Sequence, residues 1–148
     1  MKEYHYTECG LDNVYLYNIP VVTDVKGEDV VCIKKINKLH KVIAEAIINK
    51  KGMINPKEIR FLRTLLAMTQ GDFSNVLGKE AQAVGRWERG EINHDNTTDL
   101  LIRAVVRATL GLPPADASLI AGLPVQKEEE KIDINGENEE YTLFEKCA

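Results

Sequence analysis

Cysteine is scarce in this chain of 148 residues: Cys9, Cys32 and Cys147 are odd in number, far apart and include no CxxC pair. That excludes a disulfide framework and an ordinary zinc knuckle, and the three read as reduced thiols. Long hydrophobic runs are missing as well. No stretch approaches the roughly 18 consecutive apolar residues of a membrane helix. The opening Met1-Lys2-Glu3-Tyr4-His5 lacks the apolar core of a signal peptide, so a soluble, cytoplasmic protein without a membrane partner is expected. Catalytic signatures are lacking too. His5, His40 and His94 stand in separate segments, and there is no nucleophile elbow, phosphate loop or carboxylate dyad, so neither an enzyme nor a cofactor is expected. His5, Cys9, Cys32 and His40 could in principle bind a metal, but their spacing fits no common zinc arrangement; most are expected to be buried and inert.

What is present is 44% hydrophobic and 28% charged residues, enough for one ordinary globular domain or two small units on one chain. The net charge of -4 averages three regimes: residues 1–54 carry 8 basic against 7 acidic side chains, residues 55–112 again 8 against 7, and residues 113–148 only 3 against 9. The acidity therefore belongs to the tail. Because binding depends on the local field of one face, the acidic average does not exclude a nucleic-acid partner for the middle segment.

From Tyr4 to Val31 apolar and polar residues alternate, as in Asn13-Val14-Tyr15-Leu16-Tyr17-Asn18-Ile19, which predicts short strands with turns at Gly10 and Lys26-Gly27-Glu28-Asp29. Ile33, Ile36, Leu39, Val42, Ile43, Ala46 and Ile47 then recur at helical spacing and predict an amphipathic helix over 34–49. Asn55-Pro56 starts the next helix, with Asn as N-cap, Pro in the first turn and Glu58 at its positive end. Thr69 with Asp72 predicts another start that must end at Gly78. Further helices are expected over 80–88 and from about Asn96 to Gly111, with a short turn of helix within 115–123. The expected fold is mainly α: a helical bundle preceded by a small β-rich unit with one helix. Its divisions are 1–54, 55–124 and an acidic, flexible tail over 125–148.

Within 69–90 two short helices meet at one glycine. Ser74 is small where they would cross, Gly78 permits a left-handed turn, and Phe73, Leu77, Val84 and Trp87 fill a joint core. Gln82 and Arg86 then project together, and such a helix fits the major groove, where glutamine bonds adenine and arginine guanine. Arg60, Arg63, Arg103 and Arg107, by contrast, read as solvated helix faces.

The residues Thr69-Gln70, Leu77-Gly78 and Arg86-Trp87-Glu88-Arg89-Gly90 resemble the Xre/Cro-type helix-turn-helix family over roughly 55–112. That resemblance implies a compact helical bundle in which Glu80, Ala81, Gln82, Gly85 and Arg86 face the bases, while Gln70 and Arg89 touch phosphates. Lys79, which also counts among the DNA-facing set, stands where the family has an apolar residue, and Gly85 lowers helix propensity by about 1 kcal/mol relative to Ala. The run from Tyr4 to Leu16 ahead of such a domain resembles MqsA-like antitoxins, without their paired CxxC motifs, so no metal role is carried over. This second resemblance implies a homodimeric autorepressor that binds operator DNA and a ribonuclease-like toxin. Two alternatives stay open: a stand-alone or phage-type regulator without a toxin, and a protein-interaction module that has lost DNA binding. The tail reads as a solubilising end, although Tyr141 to Phe144 could order as a strand on a partner.

Overall fold

Val14 and Leu16 can be buried together only in an extended segment, because alternate side chains of a strand face opposite ways. In the computed structural model, which describes residues 3–113, 131–137 and 140–144, they sit on a strand with Tyr15 and Tyr17 on its other face. This strand, β2 (Val14–Tyr17), pairs antiparallel with β1 (Glu3–His5). The next two, β3 (Val21–Thr23) and β4 (Asp29–Val31), form a separate hairpin around Gly27. Helix α1 (Ile36–Asn49) follows, starting two residues later than its periodicity predicts because Lys35 adopts a left-handed φ of 53° that no helix can continue through.

The acidic tail departs from expectation. Ile132–Asn135 forms β5, parallel to β2 in the register Val14↔Ile132 and Leu16↔Ile134, and Thr142–Leu143 forms β6 antiparallel to β5. A segment expected to be flexible over 125–148 therefore supplies half of a four-stranded sheet ordered β1-β2-β5-β6. The physical reason is that Ile132 and Ile134 alternate with polar residues and find a ready apolar face. Together with Tyr6, Leu11, Val14, Leu16, Leu39 and Ile43 they build the core of this unit. Burial raises the Tyr6 phenol to about 12, and its hydroxyl meets His40 Nε2 at 2.9 Å. Tyr141, also buried, donates from its hydroxyl to the Lys34 carbonyl. Tyr141 to Phe144 thus orders against this chain's own β5.

The chain divides into two compact units, one made of residues 3–43 with 131–144, the other of residues 44–113. The division runs through α1, not after residue 54, and the tail belongs with the first unit. The second unit holds four further helices: α2 (Pro56–Leu65), α3 (Gln70–Val76), α4 (Ala83–Glu88) and α5 (Asn96–Leu110). The whole is a mixed α/β protein. The short helix expected within 115–123, residues 125–130 of the tail, and Cys147 lie outside the described residues.

The helix starts follow their caps. Asn55 and Thr69 each accept from a backbone N–H three residues on, while Glu58 and Asp72 reach back, giving two reciprocal capping boxes. Asp95 caps α5 by accepting from Thr98 N at 2.7 Å. Gly111 closes α5 in the left-handed conformation, as its position predicts.

Arg103 is not on a solvated face. Its guanidinium is fully buried, bonds Asp99 at 2.8 Å, and donates to the carbonyls of Ile48, Lys50 and Gly52 at 3.2, 2.7 and 2.5 Å. Asp99 also accepts from Ile54 N and meets His94 Nε2 at 2.7 Å. Burial alone would raise its carboxyl, but hydrogen bonds from His94 and Ile54 and the charge of Arg103 outweigh it and hold the carboxyl below its ordinary range. Arg107 is tied to the Pro113 carbonyl and Asn49, and of the four arginines Arg60 alone is exposed. The helical period that places Arg103 among buried Ile102 and Val106 was the available signal for its burial.

Candidate nucleic-acid interface

The short helices α3 and α4 are joined by a turn whose shape is dictated at Gly78. With φ at 70°, Gly78 lets its own N–H bond the Asn75 carbonyl and the Lys79 N–H bond the Ser74 carbonyl, the paired bonds of a Schellman end. The chain leaves α3 sharply and turns once through Glu80, Ala81 and Gln82 before α4 begins at Ala83. That start is three residues later than predicted. The Ala83 N–H returns to the Glu80 carbonyl, making a turn, and the orphan N–H of Val84 is satisfied by Ser74 Oγ at 3.2 Å. Ser74 is therefore small for a second reason: its hydroxyl bonds the first turn of α4. The same paired bonds end α4, with Gly90 at φ 73°.

Between the helices lie Phe73, Leu77, Val84 and Trp87, all buried, and α4 also packs on α2. Trp87 meets the His94 ring at 5.7 Å. Arg63 of α2 grips Glu88 of α4 with two hydrogen bonds of 2.7 and 3.1 Å and donates to the Met68 carbonyl. This largely buried pair fixes α4 about its axis. Its charge predicts a solvated face for Arg63, and only the spatial meeting of α2 with α4 identifies its role.

The predicted site residues separate into two groups. Lys79, Glu80, Ala81, Gln82 and Arg86 are exposed, and Arg86 Nη2 lies 3.4 Å from Gln82 Oε1, so these two side chains present one polar surface. Gly85 is buried and cannot face a base. A Cβ there would lie 3.0 Å from Gln70 Oε1 and 3.1 Å from Arg89 Nη1, so the glycine makes room for the side chains beside it. Gln70 is half-buried and donates to Glu88 at 3.2 Å, which ties it into the Arg63 pair.

Arg89 is exposed but bonds both oxygens of Glu91 at 3.1 Å. The Glu91 contact raises the Arg89 pKa, while Arg89 lowers that of Glu91, as expected for an exposed pair. To meet a phosphate, Arg89 must exchange this carboxylate for another anion, an exchange that costs little where both groups are in water. Nothing in the sequence singles out Glu91, whose part in the site depends on its contact with Arg89.

Among the described residues no three of His, Cys, Asp and Glu cluster as metal ligands, and Cys9 and Cys32 carry free thiols. His5 lies stacked on Tyr15 with its Nε2 2.6 Å from the Asp12 carbonyl. Among the described residues no helix is long and apolar enough to cross a membrane. Comparisons with protein-family models, with curated proteins and with solved structures found no match to this chain.

Proposed function

We propose that α3 and α4 act as a helix-turn-helix and that the chain is a sequence-specific, double-stranded DNA-binding repressor. The observation that carries this reading is the pairing of a rigidly seated α4 with an exposed polar surface. Arg63–Glu88, Ser74–Val84 and the Trp87 core hold the helix, while Gln82 and Arg86 remain in solvent. Fixed helix orientation with exposed amide and guanidinium groups is what base reading in a major groove requires, and each bidentate contact is worth about 1–3 kcal/mol of discrimination. Lys79 and Arg89 flank that surface as phosphate ligands.

The test is selection of duplexes from a random-sequence library by the full chain, followed by titration of the enriched duplex at several salt concentrations. An inverted repeat with half-site centres about 34–36 Å apart should emerge, with affinity falling as salt rises. Gln82→Ala and Arg86→Ala should each weaken binding by roughly 5- to 150-fold, the range that 1–3 kcal/mol implies. Failure to enrich any sequence, or full affinity in both folded variants, overturns the reading.

Within that role the chain is further read as the autorepressing antitoxin of a toxin pair. Support comes from the resemblance of the Tyr4–Leu16 run and from the β3–β4 hairpin, where Val21, Val22, Val25 and Val30 are all exposed. A two-stranded hairpin is marginal in water alone, and an apolar one offers a partner surface. Co-purification with the product of the adjacent gene tests it, and Val22→Asp with Val30→Asp should abolish that association without changing DNA binding. No association by the intact chain would favour a stand-alone regulator.

A further inference from the structure

Neighbouring residues of a strand face opposite ways, so the β3–β4 hairpin carries the pair Val21↔Val31 on one face and the pair Val22↔Val30 on the other. Val22 and Val30 belong to the partner surface proposed above. Val21 and Val31, with Asp29 on the same face, instead line a cleft of about 150 Å³ that Glu3, Tyr4 and Ile19 complete. The cleft lies wholly within the sheet unit. Its walls are held in place. Ile19 is seated against Gly136, where an added Cβ would overlap Ile19 Cδ1. Asp24 closes the hairpin turn, its Oδ1 accepting from the Lys26 and Glu28 N–H groups at 2.9 Å.

The lining combines an apolar body with charge of one sign. Ile19, Val21 and Val31 are aliphatic, and the two charged side chains, Glu3 and Asp29, are both carboxylates. Glu3 is already engaged: it accepts from Lys131 Nζ at 3.2 Å and from the Tyr17 hydroxyl at 3.0 Å. Asp29 differs. Among the described residues no hydrogen bond or ion pair reaches its carboxylate. A carboxylate without a partner at the side of an apolar cleft attracts a cation and repels an anion.

We propose that this cleft binds a small aliphatic amine in its ammonium form, with the ammonium on Asp29 and the hydrocarbon chain between Ile19, Val21 and Val31. Volume sets the size of the ligand. A cavity of about 150 Å³ accepts a molecule as large as benzene, about six heavy atoms, which pentylammonium matches. A second ammonium would gain little, because Lys131 already occupies Glu3. A neutral alcohol of the same length would bury the same chain but leave Asp29 without a cation, and a carboxylate would meet like charge. The bound chain touches both the hairpin and the residues beside it, so it fastens a two-stranded element that is marginal in water alone. Binding here needs neither DNA nor a protein partner.

Titration of the full chain with pentylamine hydrochloride, at neutral pH and constant ionic strength, tests the proposal through the isoleucine and valine methyl resonances. Those of Ile19, Val21 and Val31 should shift along a saturable curve with a Kd of roughly 1–10 mM, as so few ligand atoms allow. Those of Val84 and Val106, in the helical unit, should stay in place. Pentanol should bind about fivefold more weakly and pentanoate more weakly still, and Asp29→Asn should bring the amine to the affinity of the alcohol. Asp29 is exposed, so that variant should fold; if it disturbs the hairpin, Val21→Phe decides, since it fills the cleft and should abolish the shifts of Ile19 and Val31. No saturable shift up to about 100 mM amine, pentanol binding as tightly as the amine, or unchanged amine affinity in the folded variants overturns the proposal.

Discussion

The two units of this chain are assembled on opposite plans. In the helical unit each element is delimited by residues within five positions of its end: Asn55 with Glu58, Thr69 with Asp72, Gly78 with Asn75, Gly90 with Trp87. In the sheet unit the central strand β2 has one neighbour close in sequence and another, β5, more than a hundred residues away. Local interactions specify the first plan, whereas the second requires closure of a loop of more than a hundred residues. The difference has a practical consequence. Removing residues 1–54 and removing everything after Gln126 are not independent operations, because each takes strands out of the same four-stranded sheet.

The tryptophan and tyrosines are distributed so that the units can be watched separately. Trp87 is the chain's only tryptophan and lies in the helical unit, while Tyr4, Tyr6, Tyr15, Tyr17 and Tyr141, which are all five tyrosines, lie in the sheet unit. The largest expected effect is on the helical side. Arg103→Ala leaves the buried Asp99 without its charge partner and frees three carbonyls at the end of α1, which should cost about 3–5 kcal/mol. Thermal unfolding followed by Trp87 fluorescence should shift down strongly. An unshifted tryptophan transition would mean that the Asp99–Arg103 pair is not a keystone of this unit.

Ile134→Ala is the matching break in the sheet. Ile134 is fully buried and paired with Leu16, and truncation of such a residue costs about 2–5 kcal/mol. Here the tyrosine signal should respond first. If β5 contributed nothing to the sheet, as a flexible tail would, the variant would melt like the parent chain.

Why one unit was more legible than the other follows from these same residues. Caps, Gly78 and Gly111 announce themselves because the donor and acceptor they join are neighbours in sequence, and α2, α3 and α5 match their predicted starts at Pro56, Thr69 and Asn96. The α4 start was misplaced because the group that satisfies Val84 N–H is Ser74 on another helix. The resemblance alone puts Gly85 in the base-facing set, and only the packed side chains of Gln70 and Arg89 reveal that it faces inward. Ile132 and Ile134 were submerged in a segment whose average is polar and acidic; two alternating isoleucines signal a strand only once an edge exists to receive them. Charge on Arg63 and Arg103 suggested solvent, and their carboxylate partners come from 25 positions away in one case and one helical turn in the other.

A graded version of the first break uses pH. Because the Asp99 carboxyl titrates below its ordinary value in the folded chain, it contributes stability that is present above the unfolded value of about 3.8 and is lost as pH falls through the lower, folded one. The tryptophan transition should therefore weaken in acid, and Asp99→Asn should remove that part of the slope while lowering stability at neutral pH. An acid slope identical in Asp99→Asn would assign it to other carboxylates.

The smallest effect is also the one of opposite sign. The three helices α2, α3 and α4 end with the same pair of bonds; after α3 and α4 the left-handed residue is Gly78 or Gly90, but after α2 it is Ala67 at φ 57°, whose N–H bonds Thr64 while that of Met68 bonds Arg63. A side chain in that conformation costs about 1–2 kcal/mol, whereas glycine gives back part of the gain through the greater freedom of its unfolded chain. Ala67 is exposed, so replacing it removes no packing. Ala67→Gly should therefore stabilise the helical unit by roughly 0.5–1 kcal/mol, raising the tryptophan transition by a few degrees while the tyrosine transition stays in place. Gly78→Ala, which imposes the same strain where the chain now avoids it, should lower the tryptophan transition. If both substitutions moved it in the same direction, backbone conformation would not be what sets the ends of these helices, and the local plan of the helical unit would lose its physical basis.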